Sequence, residues 1–351
     1  MNITKALLTW YDVNKRSFAF RGTKDPYAIW ISEIMLQQTR TESAEGYYIR
    51  FLRQFPDVFS LAQAQEQQVL KAWEGLGYYT RARNLHKTAK IIAQRGGEFP
   101  DNAQELQTLP GIGPYTAAAI ASIAYDQPLP AMDGNLSRVI SRLYDIREDI
   151  AIPSVRRRLF ELGEQLMPKQ RAGDMNQALM DLGATICLPG TADCGRCPLN
   201  SFCIAYQEGE PERLPVLTKK KPPKEINLSV LLLHSEGRIF VTRRSEALLH
   251  GLCVFYLIEH IIDERDINKH LLSRHITPLS IEKLGTARHV FTHRLWQMTI
   301  YLVELAAPSA PIKGEWLSLP QLSEPPFPTA MRVPMEMAVR HLSRPASANR
   351  I

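Results

Sequence analysis

Four cysteines, Cys187, Cys194, Cys197 and Cys203, fall within seventeen residues of a 351-residue chain that holds only one more. Six, two and five residues separate them. Thiolates at such spacing can wrap one compact inorganic body. Structural zinc usually takes two short Cys-x-x-Cys-type pairs joined by a longer loop. Here only the middle pair is short, and the wider outer gaps suit a larger body such as a cubic iron–sulfur cluster. Spacing alone leaves zinc open. A disulfide framework would instead spread its pairs over a small secreted chain.

Two carboxyl groups offer acid–base chemistry. Glu33 lies in "AIWISEIMLQQ", with Ile29, Trp30, Leu36 and Gln37 one turn away. Such surroundings raise a carboxyl pKa and keep a proton on it near neutrality. The plainer alternative is a solvated glutamate in an early helical turn. Asp133, in "AMDGNLSRV", can supply negative charge, but an aspartate before a helix also reads as an N-cap. Two carboxyls in unlike environments can protonate a leaving group and stabilise the cation left behind.

The stretch "LPGIGPYTAAAIASIAY", Leu109 to Tyr125, carries a third signal. Gly111 and Gly113 can take positive φ and expose their amides. Pro114 has no N–H to lose in the first turn of the helix behind them. The spacing predicts a helix, a tight glycine hairpin and a second helix, whose amides and N-terminus can grip a phosphate. An ordinary helical corner with no ligand is the alternative. Ala117, Ala118, Ala119 and Ala121 let the second helix pack closely.

The elements that must position these groups change character along the chain. "KDPYAIWISEIMLQQT" has Asp25 as N-cap and Pro26 at the first helical position. "PDNAQELQTL" offers Asp101 with Gln104 as a capping pair. Another helix starts after Asp133 or Asn135. The first half is therefore expected to be nearly all helix. Downstream the period switches: "NLSVLLLHSEGRIFVTRR" predicts strand, turn at Ser235 to Gly237, and strand. "LWQMTIYLVEL" alternates Trp296, Met298, Ile300 and Leu302, which predicts a half-buried strand in an antiparallel sheet. Prolines and lysines at 212–226 predict a linker between domains at 1–211 and 227–345. Hydrophobic residues make up 45% and charged residues 22%, and the net charge of +6 favours a polyanionic partner. No apolar stretch reaches the roughly 18 residues of a membrane helix. The opening "MNITKALLTWYD" lacks a signal-peptide core. Both features suggest a cytoplasmic protein, nucleoid-associated if bacterial, with no membrane partner.

The hairpin segment resembles the helix–hairpin–helix of the DNA base-excision glycosylase superfamily, spanning about 101–124 here. That superfamily carries a catalytic aspartate about twenty residues on, and Asp133 lies eighteen past Tyr115. Members that also cut the strand have a lysine at position 115, whose amine forms a Schiff base with the sugar. Tyr115 cannot, so the resemblance implies base removal without that lyase step. The cysteine spacing is similar to the cluster loop of the endonuclease III and MutY branch, which implies one 4Fe-4S cluster on the four cysteines at 187–203. It also implies that the cluster fixes the loop, with Arg196, against DNA backbone. "WISEIMLQQT" resembles the segment of MutY-type adenine glycosylases whose glutamate protonates adenine.

This resemblance implies Glu33 as general acid and Asp133 as stabiliser of the oxocarbenium sugar. Tyr115 and Asn135 would manage the water or a transient sugar adduct. Gln177 and Arg21 would line the base pocket, although "FAFR" puts Ala19 and Phe20 where the family writes Pro and Trp. Gln38 of "LQQT" and Tyr78 of "GLGYYTRARN" would be wedges that fill the gap left by a flipped base. Without the resemblance, core burial is the default for Tyr78. Gly111 and Gly113 would contact phosphate.

The family carries a Nudix-like C-terminal domain that checks for 8-oxoguanine opposite the adenine. "RHVFTHRLWQM" resembles its Phe-Ser-His loop, with Phe291, Thr292 and His293 here; these residues also suit a strand end. Gly251 is followed six residues later by Leu257 rather than the glutamate of a magnesium-binding Nudix box, so pyrophosphate hydrolysis is not expected. "GLCVFY" departs from the family's GLWEFP, and Cys253 reads as a buried apolar residue.

The expected architecture is multidomain. An all-α helix–hairpin–helix glycosylase domain with a 4Fe-4S cluster loop is followed by an α+β Nudix-like domain. The expected partner is double-stranded DNA with A:8-oxoguanine or A:G mispairs, bound by a monomer. Rival readings are a glycosylase for another mispaired or oxidised base, with or without lyase activity, a non-catalytic iron–sulfur DNA sensor, and a nucleotide hydrolase.

Overall fold

The strands all fall in one unit and most of the helices in the other. The structure, a computed structural model, describes residues 2–39, 41–218, 222–260 and 263–343. Two units emerge: Met1–Ala64 with Thr80–Lys219, and Gln65–Tyr79 with Lys220–Ile351.

In chain order the first helices are α1 (Ile3–Asn14), α2 (Pro26–Leu36), α3 (Thr41–Gln54), α4 (Val58–Gln63) and α5 (Glu66–Ala72). The next are α6 (Thr80–Gln94), α7 (Ala103–Leu106), α8 (Pro114–Tyr125), α9 (Gly134–Leu143), α10 (Pro153–Leu166), α11 (Ala172–Thr185) and α12 (Ile204–Gln207). All but α5 belong to the first unit. Helix α2 begins as its sequence demands: Asp25 Oδ1 accepts from the Tyr27 N–H at 3.0 Å, and Pro26 occupies the first turn. Every residue from Tyr27 to Met35 is buried, so this is an interior helix rather than an amphipathic surface one. Its C-terminal carbonyls are satisfied by one side chain: Arg81 Nη1 donates to Ile34 O, Met35 O and Gln37 O at 2.6, 3.2 and 2.6 Å. Helices α1, α9, α10 and α11 enclose a second apolar core. The cysteine loop packs against that core through Cys187, Cys197 and Cys203.

The hairpin between α7 and α8 forms where its glycines fall, with two corrections. The N-cap of α7 is Asn102, whose Oδ1 accepts from Glu105 N at 2.9 Å; Asp101 does not fill that place. Only Gly111 has positive φ, at 79°, and a Cβ there would stand 2.6 Å from Asn84 Cβ. Gly113 is extended (φ −86°, ψ 177°) as the N-cap of α8, and a Cβ there would meet nothing within 4 Å.

The second unit is built on a sheet in the order β3 (Cys253–Val254), β2 (Arg238–Arg243), β1 (Lys224–Ser235), β6 (Arg294–Leu305), β5 (Pro278–Val290). Strand β4 (Tyr256–Ile258) pairs with β1, and β7 (Glu315–Ser318) with β2. Glu236 and Gly237, both at positive φ, make the tight turn between β1 and β2. The sheet is mixed, not purely antiparallel: β1 and β6 run parallel from Lys224↔Arg294 to His234↔Glu304. Strand β6 is buried on both faces rather than one. Trp296, Met298, Ile300 and Leu302 join Ala338 of α14 (Arg332–Leu342) in one core. Tyr301, Val303 and Leu305 join Ile267 and Leu271 of α13 (Glu264–Leu272) in another. Cys253 lies in the first of these cores, 2% exposed, and burial pushes its thiol up to about 11.

Two boundaries differ from the sequence expectation. Residues 65–79, placed by sequence in the helical domain, join the second unit. There Glu74 Oε1 accepts from Phe327 N at 2.7 Å and the Tyr79 hydroxyl donates to Phe327 O at 3.1 Å. The stretch 212–226 is not wholly a linker. Leu214 is buried and its carbonyl accepts from Arg142 Nε at 2.9 Å, while β1 already starts at Lys224. Leu214, just before Pro215, supplies the apolar contact, whereas Val216 and Leu217 behind it are exposed. Lys219, Lys220 and Lys221 of that expected linker, and residues 344–345 of the expected second domain, lie outside the described residues.

The two hairpin glycines should respond differently to a methyl group. Gly111→Ala is expected to cost roughly 1–3 kcal/mol through left-handed strain and the clash with Asn84. Gly113→Ala should be neutral or stabilising by up to about 1 kcal/mol, because its backbone suits any residue. Denaturant unfolding of the two variants compares them; equal losses would contradict this reading.

Candidate active site

Glu33 sits in the third turn of α2, and its residue is 6% exposed. The Tyr115 hydroxyl, from the first turn of α8, donates to its Oε2 at 2.6 Å. Helices α2 and α8 pack together, and Gln37 Nε2 ties them again through Thr116 Oγ1 at 3.1 Å. Burial raises the Glu33 pKa; the Tyr115 hydrogen bond and the Arg21 charge oppose this, and the Asp133 charge adds to it. Burial, with the charges of Glu33 and Asp133, drives the Tyr115 phenol well above its ordinary range. Tyr115 is therefore a neutral donor, not a nucleophilic phenolate. With Oε2 held by that hydroxyl, Oε1 is the oxygen left to carry the exchangeable proton.

Asp133 has a different environment. It is the N-cap of α9: Oδ1 accepts from Leu136 N at 2.7 Å, and Oδ2 accepts from Asn135 Nδ2 at 3.0 Å. Burial raises its pKa, but these donors, the Asn135 N–H and the Arg138 charge pull it back. One carboxyl is thus surrounded by apolar helix with a single hydroxyl partner, and the other is held by several donors. Capping and chemistry need not compete, since a cap fixes the carboxylate it uses.

Arg21 and Gln177 come together. Asp181 of α11, its side chain 1% exposed, anchors Arg21 Nη2 at 3.1 Å and Arg16 Nη2 at 2.8 Å. The Tyr11 hydroxyl donates to Gln177 Oε1 at 2.6 Å. Tyr11, Arg16, Phe18, Arg21, Lys24 and Gln177 line part of a cavity of about 390 Å³. Glu33 does not line it, but Arg21 does and acts on Glu33 by charge. Phe20, a departure from the family pattern, is buried and stacks on Phe18 with ring centroids 5.1 Å apart. Gln38 is exposed at a left-handed φ of 58°, just past the end of α2.

Sequence reading missed Asp181, Arg138 and Gly183. Arg138 Nη2 donates to Asn135 Oδ1 at 2.8 Å and to Gly183 O at 2.7 Å, while its Nε donates to Cys187 O at 2.7 Å. One guanidinium thus joins Asn135 to the first cysteine. A Cβ on Gly183 would stand 2.7 Å from Asn135 Cβ, so the approach of α11 to Asn135 needs glycine. Arg138 sits inside "AMDGNLSRV", but the partners that give Asp181, Gly183 and Arg138 their roles lie mostly far along the chain.

The four cysteines line one cavity with Arg142, whose Nη1 donates to Cys187 Sγ at 3.2 Å. Burial pushes the Cys197 thiol up to about 12. A zinc tetrathiolate needs sulfurs roughly 3.8 Å apart, from bonds of about 2.3 Å. Among the described residues, no three cysteines bring their sulfurs within 4.8 Å of one another. The four sulfurs are thus not drawn together as tightly as a single zinc ion needs. Arg196 is exposed and pairs with Asp193 at 3.4 Å.

In the second unit, Phe291, Thr292 and His293 form the tip linking β5 to β6. The Phe291 ring packs edge-on to Trp296, centroids 5.0 Å apart. The Tyr78 hydroxyl, at an exposed residue with φ 49°, lies 2.5 Å from Thr292 Oγ1. Tyr78 is thus no core residue.

Residues 31–165 match the HhH-GPD superfamily of base excision DNA repair proteins, and residues 229–337 match the NUDIX domain. The adenine DNA glycosylase of Mus musculus is 33% identical, over 95% of this chain and 77% of that protein. That of Buchnera aphidicola subsp. Schizaphis graminum is 37% identical, over 69% and 71%. The chain belongs to the adenine DNA glycosylase family. As an adenine DNA glycosylase it is an enzyme of base excision repair, with a helical helix–hairpin–helix unit and a Nudix-like unit of mixed sheet. A solved thermostable thymine-DNA glycosylase is similar over 58% of this chain and 95% of its own, with 29% identity and a TM-score of 0.53. Endonuclease III in a non-covalent DNA complex shares the fold at 20% identity over 59% and 94%, TM-score 0.50. Among the described residues no helix is long and apolar enough to cross a membrane.

The raised Glu33 pKa carries a stability cost with a definite sign. The folded chain keeps a proton on Glu33 at pH values where the unfolded chain has lost it. Stability contributed by that proton is full below the ordinary carboxylate range and is lost as pH rises through the folded pKa. Glu33→Gln should therefore lose less stability than wild type as pH rises above the ordinary glutamate range. Denaturant unfolding at a series of pH values measures the slope; an unchanged slope contradicts the raised pKa.

Proposed function

We propose that this adenine DNA glycosylase removes adenine mispaired with 8-oxoguanine or guanine by base flipping and acid-assisted cleavage of the N-glycosidic bond. The observation that carries this reading is the buried Glu33 carboxyl with Oε2 held by Tyr115. A proton on Oε1 passes to N7 of the flipped adenine and turns the base into a neutral leaving group. Asp133, whose carboxyl accepts from Leu136 N and Asn135 Nδ2, faces the oxocarbenium sugar, and these donors favour its anion against the burial that raises its pKa. Asn135 and Tyr115 position the water or the transient sugar adduct. Tyr115 forms no imine, so the product is an abasic site on an uncut strand.

Arg21 and Gln177 form the base pocket. With Gln177 Oε1 engaged by Tyr11, its amide nitrogen is the group that donates to a ring nitrogen. Gln38 and Tyr78, both at left-handed φ, are wedges into the stack, which suits residues held out of regular structure. The free space at Gly113 leaves room for a phosphate against the N-terminus of α8. Gly111 shapes that turn. Cys187, Cys194, Cys197 and Cys203 would hold one 4Fe-4S cluster, which when bound supplies a rigid body that braces this loop, with Arg196, against DNA. Phe291, Thr292 and His293 read the base opposite the adenine, and the protein acts as a monomer.

The test is incubation of the iron-replete protein with duplexes bearing A:8-oxoguanine, A:G and T:G, followed by alkali. Strand breaks are expected in the first two only; cleavage of T:G without A:8-oxoguanine would support the rival base specificity. Glu33→Gln is expected to lower the single-turnover rate at least ~100-fold while mispair affinity changes little. Retained turnover would remove Glu33 from the acid role. Phe291→Ala and His293→Ala should narrow the preference for 8-oxoguanine over guanine, measured as the ratio of excision rates. An unchanged ratio means the second unit reads something else.

A further inference from the structure

A cluster of imidazoles and a carboxylate lies in the second unit, at the far end of β6 from the Phe291–His293 tip. His234 and Glu304 are the penultimate residues of β1 and β6, and the two are register partners in the parallel pair. They share the sheet face that α14 covers, where Leu228, Val230 and Leu232 stand beside their register partners Met298, Ile300 and Leu302. His341 reaches the same point from the last turn of α14. His234 Nδ1 lies 2.6 Å from Glu304 Oε2, His341 Nε2 lies 3.0 Å from Glu304 Oε1, and the two ring nitrogens are 3.3 Å apart. Their side chains are 17%, 25% and 14% exposed, so the site is sheltered yet open to small ions. Among the described residues, this is the only trio of His, Cys, Asp or Glu with ligand atoms within 4.8 Å of one another.

We propose that His234 Nδ1, His341 Nε2 and Glu304 bind one divalent cation of the zinc class, which pins α14 to the ends of β1 and β6. Tetrahedral zinc with bonds of about 2.0–2.1 Å places its ligand atoms roughly 3.3–3.4 Å apart. The nitrogen pair already has that separation, and the carboxylate oxygens need only small shifts. Protons explain the cluster less well. Two N–H groups donating to Glu304 would leave two donors facing each other at 3.3 Å, so hydrogen bonds satisfy two of the three close approaches. A cation satisfies all three through lone pairs. Two imidazoles and a carboxylate are a borderline donor set suited to zinc rather than magnesium. The C-terminal end of α14 adds favourable partial negative charge. A water completes the fourth position.

The experiment uses the full-length protein with its cysteine-bound iron intact, and zinc ion as the probe. Equilibrium dialysis followed by metal analysis is expected to find one zinc per chain beyond the iron, without loss of iron. Affinity should fall at least tenfold in His234→Ala, in His341→Ala and in the nearly isosteric Glu304→Gln, which keeps the fold testable if a histidine variant is unstable. Cobalt in place of zinc should give the visible bands of a tetrahedral nitrogen–oxygen site, with no thiolate charge-transfer band. Zinc should also raise the melting temperature of wild type and not of Glu304→Gln. No zinc uptake, uptake unchanged in all three variants, or a thiolate signature would each overturn the proposal.

Discussion

The first unit depends on one constraint: a carboxyl group is kept inside an apolar helix pair with a single phenolic donor. Glu33 is buried because α2 is buried on every side, and α2 can be interior only because both its ends are satisfied. Asp25 does this at the start and Arg81 at the end. A charged carboxylate in that position is disfavoured by desolvation, and the Tyr115 hydroxyl and Arg21 soften the penalty without removing it. Such a carboxyl holds its proton more firmly than an exposed glutamate does, with a donor already in place for its anion. The small residues behind Tyr115 serve the same end, since Ala117, Ala118 and Ala121 are buried and leave α8 lying close to its neighbours.

The rest of the unit fixes positions around that acid. Helix α11 carries the buried Asp181 that sets Arg21, the Gln177 that faces the cavity, and the Gly183 that lets Asn135 approach. Arg138 then ties Asn135 to the backbone of Cys187. A cluster held by the cysteines would therefore brace the residues around Asp133 through a single guanidinium as well as bracing its own loop. Loss of the loop should therefore be felt at α9.

Much of this was legible in the sequence, because the signals are local. The Asp-Pro start of α2, the glycine hairpin, the tight turn at Glu236 and Gly237, and the four cysteines each need only a few neighbouring residues. What stayed hidden depends on partners far along the chain. The alternation in β6 reads as half-buried, but the residues between the alternating ones are apolar too, and α13 covers them. Asn102 wins the cap of α7 over Asp101 by one residue, which pattern alone does not resolve. Residues 65–79 look helical like their surroundings, yet Glu74 and Tyr79 find their partners at Phe327. The trio of His234, Glu304 and His341 spans more than a hundred residues and leaves no motif. At the candidate site, residue types pointed to Glu33 and Asp133, but only the packing shows how unlike their environments are.

The most direct measurement of the central claim is infrared difference spectroscopy of the carboxyl stretch, wild type against Glu33→Gln, across a pH titration of the DNA-free protein. The expected result is a band of a protonated, buried acid that is absent from the variant and titrates above about 4.3, the ordinary glutamate value. A Glu33 band that vanishes at or below that value would contradict the account, because the group placed to donate a proton would then have none to give.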